Sequence, residues 1–272
     1  MQYKISPQLL KKEAALKQLF REYGAVVIAY SGGVDSTYLA DVGHEMLTDD
    51  AHLIIADSPS IPREELEEAI KLAELRGWHL DIIKTKEFDS PDFLKNNRKR
   101  CYYCKHELFK VMRQYAVEKH ISVIIYGETA DDGYDPTRVG VHAARESHAK
   151  APLVEAKFSK DEIRECSHAR GLPTWQKASF ACLASRIPTG NPLSSELLLK
   201  VETAEKVLQT LGFRQYRVRH HDTLCRIEIS VEDFPLLFQS GVRERIVISL
   251  QDIGYRHVTL DLAGYRTGST AG

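Results

Sequence analysis

The amino-acid sequence predicts an α/β fold, in which helices cover a parallel sheet, followed by a small α+β domain. Two patterns predict the first part: short β-branched runs alternate with stretches of helical period, and turn-forming residues follow the runs. The pattern then changes to a helix, two alternating strands, a helix and a final strand. We place the boundary at Gly190-Asn191-Pro192 and expect domains at residues 1–190 and 191–272.

The elements of the first domain can be assigned in chain order. Ser6 is a good N-cap for a helix over Pro7–Phe20, and Gly77 is a good stop for a helix over Arg63–Arg76. Ser159 opens a further helix with the residue pattern of a capping box. Strands of the parallel sheet are predicted at residues 26–30, 52–57, 78–84 and 123–126.

The first strand runs directly into a glycine turn and a helix. A helix N-terminus carries unpaired N–H groups and a positive dipole end, so it favours an anion. We expect both glycines of the turn to reach positive φ and to let the backbone approach that anion closely. An acidic residue in the first helical turn could hold a Mg²⁺ ion that bridges phosphates. The candidate anion-binding residues are Ser31, Gly32, Gly33, Val34, Asp35, Ser36 and Thr37.

The order of residues in this turn excludes two common phosphate loops. No Gly-Lys-Ser/Thr follows, as a Walker loop requires, and no third glycine completes a dinucleotide fingerprint. The order Ser-Gly-Gly-Val-Asp-Ser resembles the pyrophosphate loop (PP-loop) of the N-type ATP pyrophosphatases, which have an adenine nucleotide alpha hydrolase-like domain. The resemblance implies that ATP is cleaved between its α and β phosphates and that a substrate is activated as an adenylate. A plain glycine turn before an ordinary helix is the alternative.

Other polar residues follow the predicted strands at the same edge of the sheet. Ligands of open α/β sheets bind beyond the carboxyl ends of the strands. Asp57 ends the second strand and Gly127-Glu128 follows the fourth, so we expect them to share a site with the turn. Glu128 and Asp131 are candidates for holding Mg²⁺ or the nucleotide ribose, with a solvated loop as the alternative. The stretch 135–140 lacks periodicity and is predicted to face the substrate.

Composition limits the class of protein. The chain has 37 Lys and Arg residues against 38 Asp and Glu residues, a net charge of −1, whereas nucleic-acid-binding proteins usually carry a basic footprint. No apolar run approaches membrane-spanning length, and the N-terminus lacks the apolar core of a signal peptide. Five cysteines without a secretion signal indicate reduced thiols. We expect a cytoplasmic protein that binds neither a membrane nor a nucleic acid.

Two cysteines, Cys101 and Cys104, stand at CxxC spacing before a predicted helix, and Cys182 follows far along the chain. A structural zinc site would need two more ligands at suitable spacing, and a thioredoxin-like motif would open the helix of a different βαβ unit. An iron–sulfur cluster needs at least one more cysteine, which Cys182 supplies. Spacing alone leaves the cluster, zinc and a redox disulfide open. Cys166 and Cys225 are expected to be buried structural cysteines.

Basic residues in the second half of the chain form a candidate anion site. Arg217 and Arg219 alternate on a predicted strand and therefore face one side. Two guanidiniums there suit a substrate that carries phosphate and carboxylates, and two solvated arginines are the alternative. Glu228 on the neighbouring strand is expected to orient them or to bind a cation. Lys177 and Arg186, on either side of the third cysteine, are candidates for neutralising phosphates or an adenylate.

The second domain is expected to have the order αββαβ. Its sheet is predicted to pack or to oligomerise, so we expect a homo-oligomer. The histidine pair His220-His221 is predicted to be an exposed hairpin end. The predicted helices cover residues 196–211 and 231–250, and the predicted strands cover 216–220, 224–230 and 257–262.

Four motifs together resemble one family, in the family's order and across essentially the whole chain. They are Ser-Gly-Gly-Val-Asp-Ser, Arg-Cys-Tyr-Tyr-Cys-Lys, Gly-Leu-Pro-Thr-Trp-Gln-Lys-Ala-Ser-Phe-Ala-Cys-Leu-Ala-Ser-Arg-Ile-Pro-Thr-Gly and Tyr-Arg-Val-Arg-His-His-Asp. They resemble the LarE family, ATP-dependent sulfur transferases that build the nickel-pincer nucleotide cofactor of lactate racemase. The resemblance implies that ATP adenylates a carboxylate of pyridinium-3,5-dicarboxylate mononucleotide, pyrophosphate leaves, and sulfur attacks the acyl group to give a thiocarboxylate.

The resemblance also implies a source of sulfur. Some LarE proteins sacrifice one cysteine, which becomes dehydroalanine, and others hold a [4Fe-4S] cluster on three cysteines whose open iron delivers an added sulfide. The position that matches the sacrificial cysteine is Ala181 here, so the resemblance favours a cluster held by Cys101, Cys104 and Cys182. The implied cofactors are ATP, Mg²⁺ and the [4Fe-4S] cluster, and the implied partners are the mononucleotide and sulfide.

Other functions remain open at this point. A tRNA-thiolating enzyme of the same superfamily also joins a PP-loop to cysteines, although the neutral charge and the missing zinc-ribbon pairs count against it. The same transferase could sacrifice Cys182 instead of holding a cluster. A ligase of the NAD or GMP synthetase kind would not need the CxxC motif, and a non-catalytic nucleotide-binding module would release no pyrophosphate.

Overall fold

The computed structural model describes residues 6–134, 140–177 and 181–266. These residues form two compact units. The first unit contains residues 6–58 and 63–87 and the described residues from 101 to 177, and the second contains residues 59–62, 88–100 and 181–266. Segments before residue 190 thus contribute to the second unit. The predicted domains 1–190 and 191–272 stay a prediction.

The first unit is built on a sheet of four parallel strands, which confirms the predicted α/β class. The strands are β1 (Val26–Ala29), β2 (Ala51–Asp57), β3 (His79–Lys84) and β4 (Val123–Tyr126). Their order in the sheet is β3-β2-β1-β4. In the register, Ala29 of β1 lies beside Ile54 of β2 and beside Tyr126 of β4. The carboxyl ends of β1 and β4 are therefore level with each other.

The strands form close to the predicted positions because their apolar runs are buried. Val26, Val27 and Ile28 have no exposed surface, as expected for a central strand of a sheet covered on both faces. The edge strand β3 alternates between exposed and half-buried residues instead. The other edge strand, β4, is mostly buried, so burial distinguishes β3 from the strands whose carboxyl ends form the candidate site.

Eleven α-helices lie within the described residues, and none of these is long and apolar enough to cross a membrane. Those of the first half are α1 (Pro7–Tyr23), α2 (Val34–Leu47), α3 (Arg63–Arg76), α4 (Pro91–Leu94), α5 (Arg100–Glu118), α6 (Gly140–Glu146), α7 (Pro152–Glu155) and α8 (Lys160–Ala169). Those of the second half are α9 (Ser195–Thr210), α10 (Phe234–Leu237) and α11 (Val242–Asp252).

The predicted helix caps are confirmed. The Ser6 side chain accepts a hydrogen bond from the backbone N–H of Leu9 at the start of α1. Ser159 and Glu162 form the capping box at the start of α8. Gly77 has a φ of +67° directly after α3, in the left-handed region that a helix stop favours. These local signals fix where the helices of the first unit begin and end.

The second unit contains a sheet of three strands. The strands are β5 (Tyr216–His221), β6 (Leu224–Ile229) and β7 (His257–Leu260). β5 and β6 form an antiparallel hairpin, and β6 pairs with β7 in parallel. One face of this sheet packs through Val218 and Ile227 against Leu208 of α9 and Leu250 of α11. The predicted order of one helix, two strands and a final strand is confirmed, but two helices stand between β6 and β7 where one was predicted.

Two predicted helix boundaries are wrong. A continuous helix over residues 231–250 does not form: α10 ends at Leu237, and α11 begins only at Val242 after Gly241, which has a φ of +78°. A non-helical glycine interrupts the apolar spacing that suggested one helix. The helix after the CxxC motif in fact begins at Arg100. Both cysteines of the motif therefore lie within the first five residues of α5.

Candidate active site

The predicted anion-binding turn lies at the carboxyl end of β1. The chain continues from β1 to β2 and β3 on one side, and β4 on the other side of β1 is reached only by a crossover from β3. The strand order therefore reverses between β1 and β4. Open α/β sheets bind their ligands at such a switch point. α2 begins at Val34 directly after the turn, as the sequence predicts.

The two glycines of the turn have different backbone conformations. Gly32 has a φ of +69°, and a Cβ there would lie only 2.6 Å from the Cβ of Ala69 in α3. Glycine is therefore required at this position, because of its positive φ and because a side chain would clash with Ala69. Gly33 is the extended N-cap residue of α2, with φ −81° and ψ 167°. The expectation of positive φ is confirmed for Gly32 and wrong for Gly33.

The hydroxyl of Ser36 holds the turn together. It donates to the carbonyl oxygen of Gly33 at 3.2 Å and accepts from the backbone N–H of Ser31 at 3.1 Å. The Ser31 hydroxyl lies 3.0 Å away and must donate to Ser36, whose single proton is already directed to Gly33. Ser36 and Thr37 are buried, whereas Ser31 is exposed. Ser31 is thus the hydroxyl of this turn that a ligand can reach.

The N-terminus of α2 is open to an acceptor. Its first internal hydrogen bond joins the Thr37 N–H to the Gly33 carbonyl at 2.9 Å. The N–H groups of Val34, Asp35 and Ser36 precede this bond and have no acceptor within the helix. Within the described part of the chain, no side chain caps this end of the 14-residue helix. The helix therefore directs unfilled donors and its positive dipole end at the switch point.

Asp35 is a carboxylate with one satisfied oxygen. Its Oδ2 accepts from Lys160 Nζ at 3.2 Å, whereas Oδ1 is buried without a hydrogen-bond partner among the described residues. Burial raises the pKa of Asp35, the Lys160 ammonium partly offsets this, and the nearby Asp132 carboxylate adds to it. The unpartnered oxygen and the carboxylate neighbour leave room for a cation at this end of α2.

The end of β4 meets the turn, as predicted. A Cβ on Gly127 would lie 3.1 Å from the Ser36 backbone nitrogen and 3.3 Å from the Asp35 carbonyl carbon, so the two segments touch. Glu128 is only 7% exposed, and it accepts a hydrogen bond from the Tyr126 hydroxyl. The sequence alternative of a solvated loop is therefore wrong for Glu128.

Two further predicted acids are already engaged. Asp57, at the end of β2, forms an ion pair with Arg63 in the first turn of α3. Asp131 accepts a hydrogen bond from the backbone N–H of Lys160 at 2.7 Å. Lys160 thus links Asp131 and Asp35 at the start of α8. Nothing in its sequence context distinguishes Lys160 from other surface lysines, and we did not predict it.

Lys177 is held by α3. Its Nζ lies 2.5 Å from Glu65 and 2.9 Å from Glu68, measured to the Oε2 of each. Burial lowers the pKa of Lys177, but the hydrogen bonds to both glutamates outweigh this, so the pKa is raised. The lysine remains charged in this setting, and two carboxylates already neutralise it. Its predicted phosphate-binding role stays a prediction.

The cysteines differ in exposure. Cys101 is exposed and Cys104 is half-buried, and they lie three residues apart on the same side of α5. Cys182 is half-buried and precedes a 3₁₀ turn over Leu183–Arg186. Cys166 and Cys225 are fully buried, as predicted. The predicted substrate-facing loop lies outside the described residues except for Gly140.

Arg186 is a buried structural residue of the second unit. It is 3% exposed and forms a bidentate pair with Glu205 of α9 at 2.9 and 3.0 Å. Its Nη1 also donates to the carbonyl oxygens of Ala181 and Cys182 at 2.5 and 3.1 Å. Arg186 therefore fixes the backbone around Cys182. No local pattern pointed to its partner Glu205, which lies on a separate helix.

The two arginines of β5 have different surroundings. Arg219 pairs with Glu228 of β6 at 2.8 Å, and Arg226 pairs with the other oxygen of that carboxylate at 3.0 Å. Glu228 orients Arg219, as predicted, and the second arginine, Arg226, was missed. The Arg217 guanidinium donates to the Tyr216 carbonyl and lies 5.2 Å from the ring of Tyr265.

Arg217 is the candidate for binding an anion on this sheet. Burial lowers the pKa of Arg217, and the charge of Arg186 lowers it further. No carboxylate forms an ion pair with Arg217 among the described residues. The prediction of an exposed hairpin end is wrong for His220, which is 7% exposed and lies 3.3 Å from the Tyr255 hydroxyl.

Comparison with known proteins identifies relatives over nearly the whole chain, although no family model matches. A pyridinium-3,5-bisthiocarboxylic acid mononucleotide synthase of Lactiplantibacillus plantarum is 33% identical over 265 residues, which cover 96% of this chain and 94% of that protein. An uncharacterized protein of Synechocystis is 40% identical over 93% of this chain and 94% of its own length.

A more distant similarity extends to another kind of enzyme. One chain of a glutamine-hydrolyzing GMP synthase from Methanopyrus kandleri is 25% identical over 72% of this chain and 63% of its own length. The synthase of Lactiplantibacillus, by contrast, matches both units at higher identity. The sequence motifs, the α/β fold and this full-length match agree. The chain belongs to the LarE family of sulfur-transfer enzymes.

Proposed function

We propose that this enzyme adenylates the carboxylates of pyridinium-3,5-dicarboxylate mononucleotide and converts them to thiocarboxylates for nickel-pincer cofactor synthesis. The relative from Lactiplantibacillus is named for the bisthiocarboxylic acid mononucleotide. The observation that carries the proposal is the uncapped N-terminus of α2 at the switch point of the sheet. A carboxylate oxygen is a poor leaving group. Adenylation bonds this oxygen to the α-phosphorus, so that it can leave as part of AMP.

In this proposal the turn between β1 and α2 binds the phosphates of ATP. The N–H groups at the start of α2 donate to phosphate oxygens. The exposed Ser31 hydroxyl can add a donor when its proton turns from Ser36 to the ligand. Gly127 keeps a side chain out of the space beside the Ser36 N–H, and Gly32 lets the turn pack against Ala69 of α3. The group that leaves from the α-phosphorus is pyrophosphate, whose negative charge this positive helix end stabilises.

Asp35 is the proposed residue for Mg²⁺. Mg²⁺ is bound through one or two carboxylates together with substrate phosphates and waters, and the unpartnered Oδ1 of Asp35 fits this requirement. When bound, the ion neutralises charge on the phosphates. The Lys160 ammonium, 3.2 Å from the other oxygen, keeps the Asp35 side chain oriented.

Arg217 is the proposed anchor for the negative groups of the mononucleotide. Its guanidinium is not paired with Glu228, because that carboxylate pairs with Arg219 and Arg226. A planar guanidinium binds carboxylate or phosphate through two parallel hydrogen bonds. Arg219 and Glu228 act in this proposal by holding the strand pair that carries Arg217.

Cys101, Cys104 and Cys182 are the proposed ligands of a [4Fe-4S] cluster. Cysteine thiolates are the usual ligands of such clusters, and the exposure of Cys101 together with the half-burial of the other two fits a group bound near the surface. When bound, the cluster supplies an open iron for an added sulfide. Arg186 holds the carbonyl of Cys182 and thereby fixes the backbone of the third ligand. The homo-oligomer and the cytoplasmic location remain predictions.

The adenylation step can be tested directly. Purified enzyme is incubated with ATP, Mg²⁺ and the dicarboxylate mononucleotide, and AMP and pyrophosphate are measured. We expect pyrophosphate release that depends on the mononucleotide, and a loss of at least 100-fold in Asp35→Asn. Asp49→Asn, which changes an exposed acid after α2, is the matched control. Pyrophosphate release with bulk tRNA but not with the mononucleotide would contradict the proposal.

The sulfur source requires a separate measurement. Iron and acid-labile sulfide are determined in protein purified without oxygen, for the wild type and for Cys101→Ser, Cys104→Ser and Cys182→Ser. We expect about four irons per chain in the wild type, loss in each of these variants, and retention in the control Cys225→Ala. Absence of iron after reconstitution, with dehydroalanine at position 182 after turnover, would show the sacrificial version instead.

A further inference from the structure

A cluster of metal-binding side chains lies at the other end of the parallel sheet from the phosphate-binding turn. His52 is near the amino end of β2, and His79 and Asp81 are near the amino end of β3. His52 and His79 are direct neighbours in the strand register. One ligand atom from each of the three side chains lies within 4.8 Å of the other two. The adenylation reaction proposed above uses none of them.

The separation of the ligand atoms suits a small tetrahedral cation. His79 Nε2 lies 3.5 Å from Asp81 Oδ2. In tetrahedral zinc sites the Zn–N and Zn–O distances are about 2.0–2.2 Å, which places two ligand atoms about 3.4 Å apart. The ring centroids of His52 and His79 are 4.3 Å apart. The His79–Asp81 spacing therefore already fits an ion, and His52 must bring its ligand atom at most about 1.4 Å closer.

A fourth residue, Tyr115 of α5, sets the tautomer of one histidine. Its hydroxyl lies 2.6 Å from Asp81 Oδ2 and 2.9 Å from His52 Nδ1. The carboxylate can only accept, so the single phenolic proton is directed to Asp81. The phenolic oxygen must then accept a proton from His52 Nδ1. His52 is thereby held with its proton on Nδ1, which leaves Nε2 as the ring nitrogen with a lone pair for a metal.

This arrangement is the one that metal-binding histidines need. A ligating histidine usually donates its other ring N–H to an oxygen, which fixes the orientation of the ring and makes the ligand nitrogen more basic. Tyr115 provides that oxygen and also orients the carboxylate. The donor set of two imidazoles and one carboxylate is typical of zinc sites with an open fourth position.

We propose that His52, His79 and Asp81 bind a Zn²⁺ ion with water as the fourth ligand, and that Tyr115 positions two of these ligands. The ion would join the amino ends of β2 and β3, the central and edge strands on this side of the sheet. Lys119, the residue directly after α5, places its ammonium 5.6 Å from the centre of the Tyr115 ring. Its repulsion weakens the site without blocking it, because the ligand atoms face one another.

The test uses the full-length chain labelled with ¹⁵N-histidine. The imidazole NMR signals report tautomer and metal binding at each ring, so zinc bound by the cysteines does not obscure the result. Before zinc is added, we expect His52 in the Nδ1–H tautomer. On titration with ZnCl₂, we expect saturable shifts of His52 Nε2 and of the His79 ring, reversed by EDTA.

Three variants separate this site from adventitious binding. His79→Gln and Asp81→Asn should weaken zinc binding at His52 at least tenfold, and Tyr115→Phe should weaken it by about 10- to 100-fold. His257→Gln, which changes an exposed histidine of β7, is the control and should leave the titration unchanged. The proposal is overturned if saturating zinc leaves the wild-type His52 and His79 signals in place, or if Asp81→Asn binds as the wild type does.

Discussion

Two carboxylates, half-buried Asp35 at the start of α2 and fully buried Glu228 in the three-stranded sheet, are balanced in different ways. Glu228 has no exposed surface, and arginines occupy both of its oxygens. Asp35 has one oxygen at Lys160 and the other without a partner among the described residues. Burial raises the pKa of Asp35 because half of its charge is uncompensated. Glu228 therefore completes a structural ion-pair network, whereas Asp35 can still bind a ligand through its second oxygen.

The largest effect is expected from Glu228→Gln. The substitution leaves the Arg219 guanidinium, whose side chain is 6% exposed, without its carboxylate. Removing one partner of a buried ion pair costs about 3–5 kcal/mol of unfolding free energy. Urea unfolding measures this, with Glu232→Gln, at an exposed glutamate after β6, as the control. A loss below about 1 kcal/mol, the range of an exposed pair, would mean that the two carboxylates are not as different as the structure indicates.

Asp35→Asn should have the opposite effect on stability. The raised pKa means that the folded chain binds the proton more tightly than the unfolded chain, so its stability falls as pH rises from about 4 through the raised value. The variant lacks this penalty. We expect its advantage in unfolding free energy to appear as pH rises through that window and to stay constant above it. Saturating Mg²⁺ and ATP should stabilise only the wild type strongly; equal stabilisation of both proteins would contradict the role of Asp35.

A comparison of two arginines on one strand gives the next smaller effect. Arg217→Met removes a guanidinium that forms no ion pair with a carboxylate among the described residues, so we expect little loss of stability. We expect an increase in KM for the mononucleotide of about tenfold, or 1.4 kcal/mol. Arg219→Met should reverse this profile, because it removes a partner of Glu228. Thermal unfolding and initial-rate kinetics of the two variants provide the measurement. Identical profiles would refute the distinction between them.

The smallest effect is expected where a carboxylate is exposed. Glu68 pairs with Lys177, and its side chain is 57% exposed. Exposed ion pairs contribute about 0.2–1 kcal/mol, and Glu65 still neutralises the lysine. Glu68→Gln should therefore change the unfolding free energy by less than about 0.5 kcal/mol in urea, and added salt should reduce even that difference. A larger loss would assign Lys177 a more important structural role.

The parts of the site that depend on local chain order could be predicted from the sequence. A β-branched run, two glycines and the onset of helical spacing fixed the turn between Ala29 and Val34. The capping residues Ser6 and Ser159 act within three residues of their acceptors, so their signals are also local. Gly127 could be placed at the site because parallel strands end at one edge.

The parts that depend on tertiary contacts could not be predicted. Lys160 is 125 residues from Asp35 in the chain, and only the folding of α8 onto α2 brings them together. Arg186 was predicted to bind phosphates because the sequence around it does not reveal its ion pair with Glu205. The zinc-binding cluster requires the register of β2 with β3, which sets His52 beside His79. Periodicity predicts strands but not which of their residues are neighbours.

The burial of Cys166 and Cys225 has a practical consequence for counting thiols. Burial raises the pKa of each to about 11, so at neutral pH they remain protonated and alkylate slowly. The native chain of five cysteines, once freed of iron, should therefore behave towards iodoacetamide as a protein with three reactive sites. Alkylation stoichiometry before and after turnover then reports directly on Cys101, Cys104 and Cys182, without unfolding the enzyme.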